Sequence, residues 1–75
     1  MNRSVSKAFG EVVRKRRVDS GLSQEALSEK ANLHATYIGL IERGKRNPTI
    51  EAAEQIAAAF GVRLSILISE AEKLS

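Results

Sequence analysis

The chain has 75 residues and a formal net charge of +3 at pH 7, with one histidine and no cysteine. This length favours one small domain with a marginal core, and the absence of cysteine excludes disulfides, a thiol nucleophile and a cysteine-based zinc site. The apolar runs are much shorter than the ~20 residues of a membrane span, and the first residues lack the apolar core of a signal peptide, so we expect a cytoplasmic protein with no membrane partner.

Glycine and proline divide the sequence into five predicted helices. The first is predicted over residues 5–19, where one stripe recurs at helical spacing: Val5, Ala8, Phe9, Val12, Val13 and Arg16. Gly21 is expected to end this helix in the left-handed conformation. Ser23 is a good cap for the second helix, and Leu22 and Leu27 are placed to form a hydrophobic staple around it.

The segment from Gln24 to Arg43 has the pattern of a helix, a tight turn and a second helix. Its apolar residues are spaced to meet in one small core: Leu27, Ala31, Leu33, Ile38 and Ile41. Ser28 is small where the two helices cross, and Asn32 tolerates the positive φ expected at the corner. His34 is a poor cap for the second of these helices, predicted over residues 35–43. The pattern predicts a helix-turn-helix, which commonly places its second helix in a DNA major groove; an ordinary helical hairpin is the alternative.

Two more helices follow a polar and basic loop. Thr49 is placed to cap a fourth helix over about residues 50–59, with this apolar face: Ile50, Ala53, Ile56, Ala57 and Phe60. A fifth helix over about residues 64–73 has its own stripe, which Leu74 continues: Leu64, Leu67, Ile68 and Ala71. No segment has the pattern of paired strands, so the predicted fold class is all-α, one compact five-helix domain over residues 1–75.

The charge is unevenly distributed along the chain. Residues 1–47 carry ten Lys/Arg and five Asp/Glu, a net charge of +5, whereas residues 48–75 carry two and four, a net charge of −2. The basic part contains the predicted helix-turn-helix. This asymmetry favours a polyanion as the partner of one half and a different task for the other.

Three motifs carry a resemblance to a known family. They are Arg-x-x-x-Gly-Leu-Ser-Gln-Glu at 17–25, Tyr-Ile-x-x-Ile-Glu-Arg-Gly-Lys-Arg-Asn-Pro at 37–48 and Ala-Phe-Gly-Val at 59–62. The chain resembles the phage repressor and Cro family of helix-turn-helix regulators, and within it the controller proteins of restriction–modification systems. The resemblance implies the phage-repressor fold. It also implies a nucleoid-associated transcriptional regulator that binds double-stranded DNA. We expect no cofactor and no small-molecule effector.

Four residues of the second helix of the motif are expected to face the major groove, opposite its buried isoleucines: Ala35, Thr36, Gly39 and Leu40. Members of the family usually place polar or basic residues at several of these positions, and this chain departs from that pattern. Thr36 can bond a base edge and touch a thymine methyl group, whereas Ala35 and Leu40 offer apolar contact only. Gly39 would permit close approach to the duplex, unless it is merely a tolerated surface glycine.

Six residues are expected to contact the DNA backbone: Gln24, Tyr37, Arg43, Lys45, Arg46 and Asn47. For Gln24 the resemblance implies a phosphate clamp, and a helix N-terminus is a suitable anion site. For Tyr37 the resemblance also implies DNA contact, although a half-buried tyrosine can instead serve the core. Arg46 can additionally reach a base. The alternative for the basic residues is a solvated loop.

The resemblance further implies an ion pair between Arg17 and Glu42. In the family an arginine near the end of the first helix pairs with a glutamate near the end of the third. Such a pair would orient the third helix and would prevent Glu42 from repelling phosphate. The alternative is two unrelated surface charges.

The fifth helix carries more apolar residues than its core stripe uses. Leu64 and Leu74 lie at the ends of the stripe, and Ile66 falls outside it. A surplus apolar surface on the acidic half predicts a twofold homodimer through these three residues, and hence a pseudo-palindromic operator. Scattered exposed apolar residues are the alternative.

Two other functions are compatible with the same fold. An antitoxin-type protein would bind DNA and also neutralise a partner protein, and an adaptor would use the fold mainly for protein–protein interaction. Salt-dependent binding to duplex DNA would distinguish the adaptor from the two DNA-binding classes. An enzyme is not expected, because a lone histidine, no cysteine and no glycine-rich phosphate loop offer no catalytic constellation or metal cluster.

Overall fold

A computed structural model of the protein describes residues 4–75, so the first three residues of the predicted domain lie outside the described part. The described residues form five α-helices and no strand: α1 (Val5–Asp19), α2 (Gln24–Ala31), α3 (Ala35–Glu42), α4 (Ile50–Ala59) and α5 (Leu64–Leu74). The predicted all-α five-helix fold is confirmed, with boundaries that differ by one residue at the ends of α3 and α5. No single described helix is long and apolar enough to cross a membrane. α4 and α5 taken together would be, by length and composition alone, but the two helices are bent by 104° relative to each other.

Local capping signals set the turn between α2 and α3. The Ser23 hydroxyl accepts a hydrogen bond from the backbone N–H of Ala26 at 3.0 Å, which satisfies one free donor at the start of α2. Asn32 ends α2 with a left-handed φ of 58°, and the N–H of Leu33 then bonds the Ser28 carbonyl at 2.9 Å. His34 occupies the N-cap of α3 without a side-chain capping bond. Only three residues therefore separate α2 from α3.

The core draws side chains from all five helices. Its largest fully buried members are Phe9, Val13, Leu27, Ile38, Ile41, Ile56 and Leu67. Fully burying a side chain of this size contributes about 1.5–3 kcal/mol, so α3 is anchored firmly through its two isoleucines. α1 packs against both α3 and α5, and all three helices contribute side chains to the same core.

Two residues predicted at the start of core stripes are instead exposed, as is Leu74, which was predicted to continue the stripe of α5. Val5 is 42% exposed and Ile50 is 77% exposed. Each is the first residue of its helix, and helical side chains tilt towards the N-terminus, so these side chains project past the packed body. Periodicity alone therefore overextended both apolar faces by one position.

α1 and α3 approach each other closely at Gly10. A Cβ at this position would collide with the carbonyl oxygen of Ile41 and would lie 3.1 Å from its carbonyl carbon. The missing side chain thus allows the two backbones to touch. This contact determines how closely α3 packs against α1.

An ion pair joins α1 to α5. Arg16 donates to Glu70 from Nε at 3.1 Å and from Nη2 at 2.6 Å, although Arg16 was predicted only as a member of the first apolar stripe. The hydrogen bonds from the guanidinium lower the pKa of the Glu70 carboxyl below its ordinary value. Both side chains are about one-third exposed, so solvent screening limits the stability that this pair adds.

Candidate nucleic-acid interface

α3 presents a narrow and mostly apolar strip at the surface. Ile38 and Ile41 are buried, Thr36 is exposed, and Ala35, Tyr37 and Leu40 are partly exposed. Three of the four residues expected to face the groove therefore reach the surface. Thr36 and Tyr37 supply the hydroxyl groups of this strip.

Gly39, which was expected to permit close approach to a duplex, is covered by neighbouring side chains. It is buried, and a Cβ added to it would lie 3.3 Å from Oε1 of Gln24 and 3.3 Å from Nη1 of Arg43. The side chains of these two residues pass over the glycine from α2 and from the end of α3. Its small size therefore makes room for two residues expected to contact DNA, an effect that depends on tertiary packing.

A hydrogen-bonded network fixes α3 relative to α1 and α2. The Glu42 carboxylate accepts from Arg17 Nε at 2.7 Å and Nη2 at 3.0 Å, and from Gln24 Nε2 at 3.1 Å. Arg17 Nη1 also donates to the carbonyl of Leu22 at 2.9 Å, which ties the turn before α2 into the same network. The Glu42 side chain is only 1% exposed, so its negative charge is covered by the arginine. Hydrogen bonding to Glu42 raises the pKa of the Arg17 guanidinium above its ordinary value.

Tyr37 links α3 to the start of α4. Its hydroxyl oxygen accepts a hydrogen bond from the backbone N–H of Thr49 at 3.2 Å. The Arg46 guanidinium lies 5.8 Å from the centroid of the tyrosine ring, within the range of a cation–π contact. These contacts hold the loop between α3 and α4 beside the exposed strip of α3. The tyrosine O–H remains able to donate a hydrogen bond.

A basic rim borders the strip. Its members, all exposed, are Arg43, Lys45, Arg46 and Asn47. Lys7 of α1 was missed by the sequence analysis; it packs along Gly44 and lines one cavity with Arg43 and Lys45. Its charge was visible in the sequence, but its place beside the loop follows from the packing of α1 on α3.

The three residues predicted to form a dimer interface lie in different surroundings. Leu64 packs against the core and also lines an apolar groove with Val5, Pro48, Ile50 and Ile68. Leu74, which is 43% exposed, lines a separate groove between α1 and α5, whereas Ile66 is 44% exposed and lines neither of them. The first groove, here called the α4–α5 groove, is the more apolar of the two, because charged side chains surround the groove of Leu74.

Residues 4–75 contain no group of three His, Asp or Glu side chains arranged to hold a metal ion. The exposed strip of α3 and the basic rim instead carry hydrogen-bonding, basic and apolar side chains. These groups suit a nucleic acid, which is a charged polymer with stacked bases.

Known helix-turn-helix proteins are similar to this chain in sequence and in fold. The family model HTH_3, described as helix-turn-helix, matches residues 13–67. The control protein C.BamHI of Bacillus amyloliquefaciens is 42% identical over 64 residues, which are 84% of this chain and 79% of that protein. The control protein C.MunI of Mycoplasma sp is 41% identical over 66 residues, which are 87% of this chain and 89% of that protein. The crystal structure of the restriction–modification controller protein C.AhdI from Aeromonas hydrophila superposes with a TM-score of 0.78 at 34% identity, covering 81% of this chain and 92% of that one.

Proposed function

The chain belongs to the HTH_3 helix-turn-helix family of DNA-binding transcriptional regulators, a non-enzymatic family, and from that premise we propose that it binds a pseudo-palindromic operator as a homodimer. Its likeness to control proteins supports a role of the same kind, in the cytoplasm and on the nucleoid. α3 acts as the recognition helix. The observation that carries the proposal is the exposed Thr36 of α3 beside the exposed basic rim.

The expected contacts divide into two classes. Ala35, Thr36 and Leu40 meet base edges, and the basic rim and Gln24 meet phosphates, which Lys7 is placed to join. Because the strip has few polar groups, phosphate contacts and DNA shape supply most of the affinity. Selection of bound sequences from a random duplex pool tests the proposal directly. A pool that yields no preferred sequence would contradict it.

Replacing Arg46 with alanine should weaken binding to every duplex and reduce the slope of log K against log salt by about two units, because each of the two subunits loses one phosphate contact. The measurement is a salt titration of DNA affinity by fluorescence anisotropy. Arg63→Ala is the matched control, since it removes the same charge from an exposed residue just before α5. A changed preference at one base pair with an unchanged salt slope would instead make Arg46 a base contact.

The homodimer is expected to place its recognition helices about 34–36 Å apart, one duplex turn. We place the interface at the α4–α5 groove, where Ile50 is 77% exposed beside Leu64 and Pro48. The sequence-based interface of Leu64, Ile66 and Leu74 shares only Leu64 with it.

Ile50→Glu should weaken dimerisation more than tenfold, because an unpaired carboxylate would be buried in the interface. Leu74→Glu, an equal change outside the groove, should have little effect. Sedimentation equilibrium over a range of protein concentrations measures both. The reverse ranking would move the interface to the α1–α5 side, and a wild-type monomer at high micromolar concentration would contradict the dimer.

A further inference from the structure

Two consecutive arginines of α1 bind carboxylates on two different helices. Arg16 donates to Glu70 of α5 from Nε at 3.1 Å and from Nη2 at 2.6 Å. Arg17 donates to Glu42 of α3 from the same two nitrogens, at 2.7 Å and 3.0 Å. Adjacent residues of a helix point about 100° apart, so the two side chains leave α1 in different directions. The end of α1 therefore holds both the recognition helix and the last helix by two-point ion pairs.

The pair with Glu70 restricts how α5 can lie on α1. α5 also packs on α1 through the core, to which it contributes the buried residues Leu67 and Ala71. Apolar burial is non-directional, so it permits small rotations and shifts of one helix on another. A two-point bond between a guanidinium and a carboxylate adds a defined geometry. The angle between α1 and α5 thus depends on Arg16.

This angle affects the proposed homodimer. α5 contributes Leu64 and Ile68 to the α4–α5 groove, where we place the interface. Leu64 lies only about 9 Å from Glu70 along the axis of α5. A change in the angle of α5 on α1 would move the interface relative to the recognition helix of the same protomer. The twofold axis would repeat that change in the partner, so the separation of the two recognition helices would change.

We infer that Arg16 is a positioning residue that determines which spacing of operator half-sites the homodimer accepts. This inference rests on the proposed function and adds a residue that is not among the expected DNA contacts. Both side chains of the pair are about one-third exposed, so breaking it costs little stability. A variant can therefore stay folded while the angle between α1 and α5 becomes less restricted.

The test uses duplexes with the two half-sites selected from the random pool, either at the selected spacing or with one base pair added or removed between them. Wild-type protein should bind the altered spacings about tenfold or more weakly, because only one recognition helix can then keep its register with the bases. Arg16→Lys keeps the charge but lacks the planar fork, and it should reduce this spacing penalty about two- to fivefold, the range of a partly exposed pair. Glu70→Gln should reduce it similarly.

The spacing penalty separates positioning from a general loss of stability or charge. A merely structural contribution would weaken binding at all three spacings by the same factor and leave the penalty unchanged. Asp19→Asn is the matched control, because it breaks the exposed pair with Lys15 on the same helix and should not alter the penalty. Thermal unfolding of each variant verifies that it is folded before its affinity is measured.

The outcomes distinguish this inference from the proposed function. If wild-type protein prefers one spacing but folded Arg16→Lys and Glu70→Gln keep the penalty to within about 1.5-fold, the positioning role is wrong and the DNA-binding homodimer stands. An equal reduction in Asp19→Asn, or wild-type protein that binds all three spacings alike, would also overturn it. If the pool yields no preferred sequence, the proposed function fails and this inference fails with it.

Discussion

Replacing Glu42 with alanine should lower the free energy of unfolding by roughly 3–5 kcal/mol, the cost of removing one partner from a buried ion pair. The variant leaves the Arg17 guanidinium, whose side chain is 13% exposed, without the carboxylate that accepts two of its hydrogen bonds. A 75-residue domain is stabilised by only about 4–11 kcal/mol in total. If the wild-type stability is near the lower end of this range, much of the population should be unfolded; urea denaturation followed by circular dichroism measures both the stability and the loss.

A double-mutant cycle with Arg17→Ala separates the coupling of the pair from the cost of each truncation. Asp19→Ala is the control, because it removes the carboxylate of an exposed ion pair with Lys15 and should change stability by no more than about 1 kcal/mol. The apolar double variant Arg17→Met/Glu42→Leu should recover part of the loss, since it buries no unpaired charge. A coupling energy near zero would mean that α3 owes its orientation to other contacts.

The local features of this fold could be predicted from the sequence because their causes lie within a few residues. Ser23 and Thr49 cap the helices that follow them, and Asn32 and Gly21 adopt the expected positive φ. A capping hydroxyl group or a residue with positive φ affects only the helix end at which it lies, independently of contacts elsewhere in the chain. Helix bounds therefore needed no knowledge of packing.

Contacts between distant helices could not be predicted in the same way. Arg16 and Glu70 are 54 positions apart, and nothing in either neighbourhood marks them as partners. The amide of Gln24 donates to Glu42 and its oxygen covers Gly39, two contacts that its position at the start of α2 does not predict. Each of these contacts depends on the angle and distance between helices, which helical periodicity does not specify.

The proposed DNA-binding face shows the same division. The exposure of Thr36 and the basic rim follow from helical phase and from the run of residues after α3. The place of Lys7 beside that rim, and the bond from Thr49 to Tyr37, arise only when α1 and α4 pack around α3. Sequence thus predicted the chemistry of the face better than its shape.

Gly10→Ala should lower the free energy of unfolding by about 2 kcal/mol or more, although alanine is the better helix former by about 1 kcal/mol. The added methyl group would meet the carbonyl of Ile41, a backbone group that cannot rotate away, and the Cα of Glu42 at 3.4 Å. α3 would have to move off α1, and the recognition helix would be displaced with it. DNA affinity should therefore fall further than the loss of folded protein explains.

Gly39→Ala is the matched control, because it makes the same substitution within a helix. Its methyl group would meet only the ends of the Gln24 and Arg43 side chains, at 3.3 Å, and these can move. Its stability should be unchanged or higher by up to about 1 kcal/mol from helix propensity. Urea denaturation of both variants gives the comparison, and equal stabilities would show that α1 and α3 can separate at Gly10 without cost. A large difference would instead show that the α1–α3 contact at Gly10, rather than glycine's backbone freedom, makes this residue necessary.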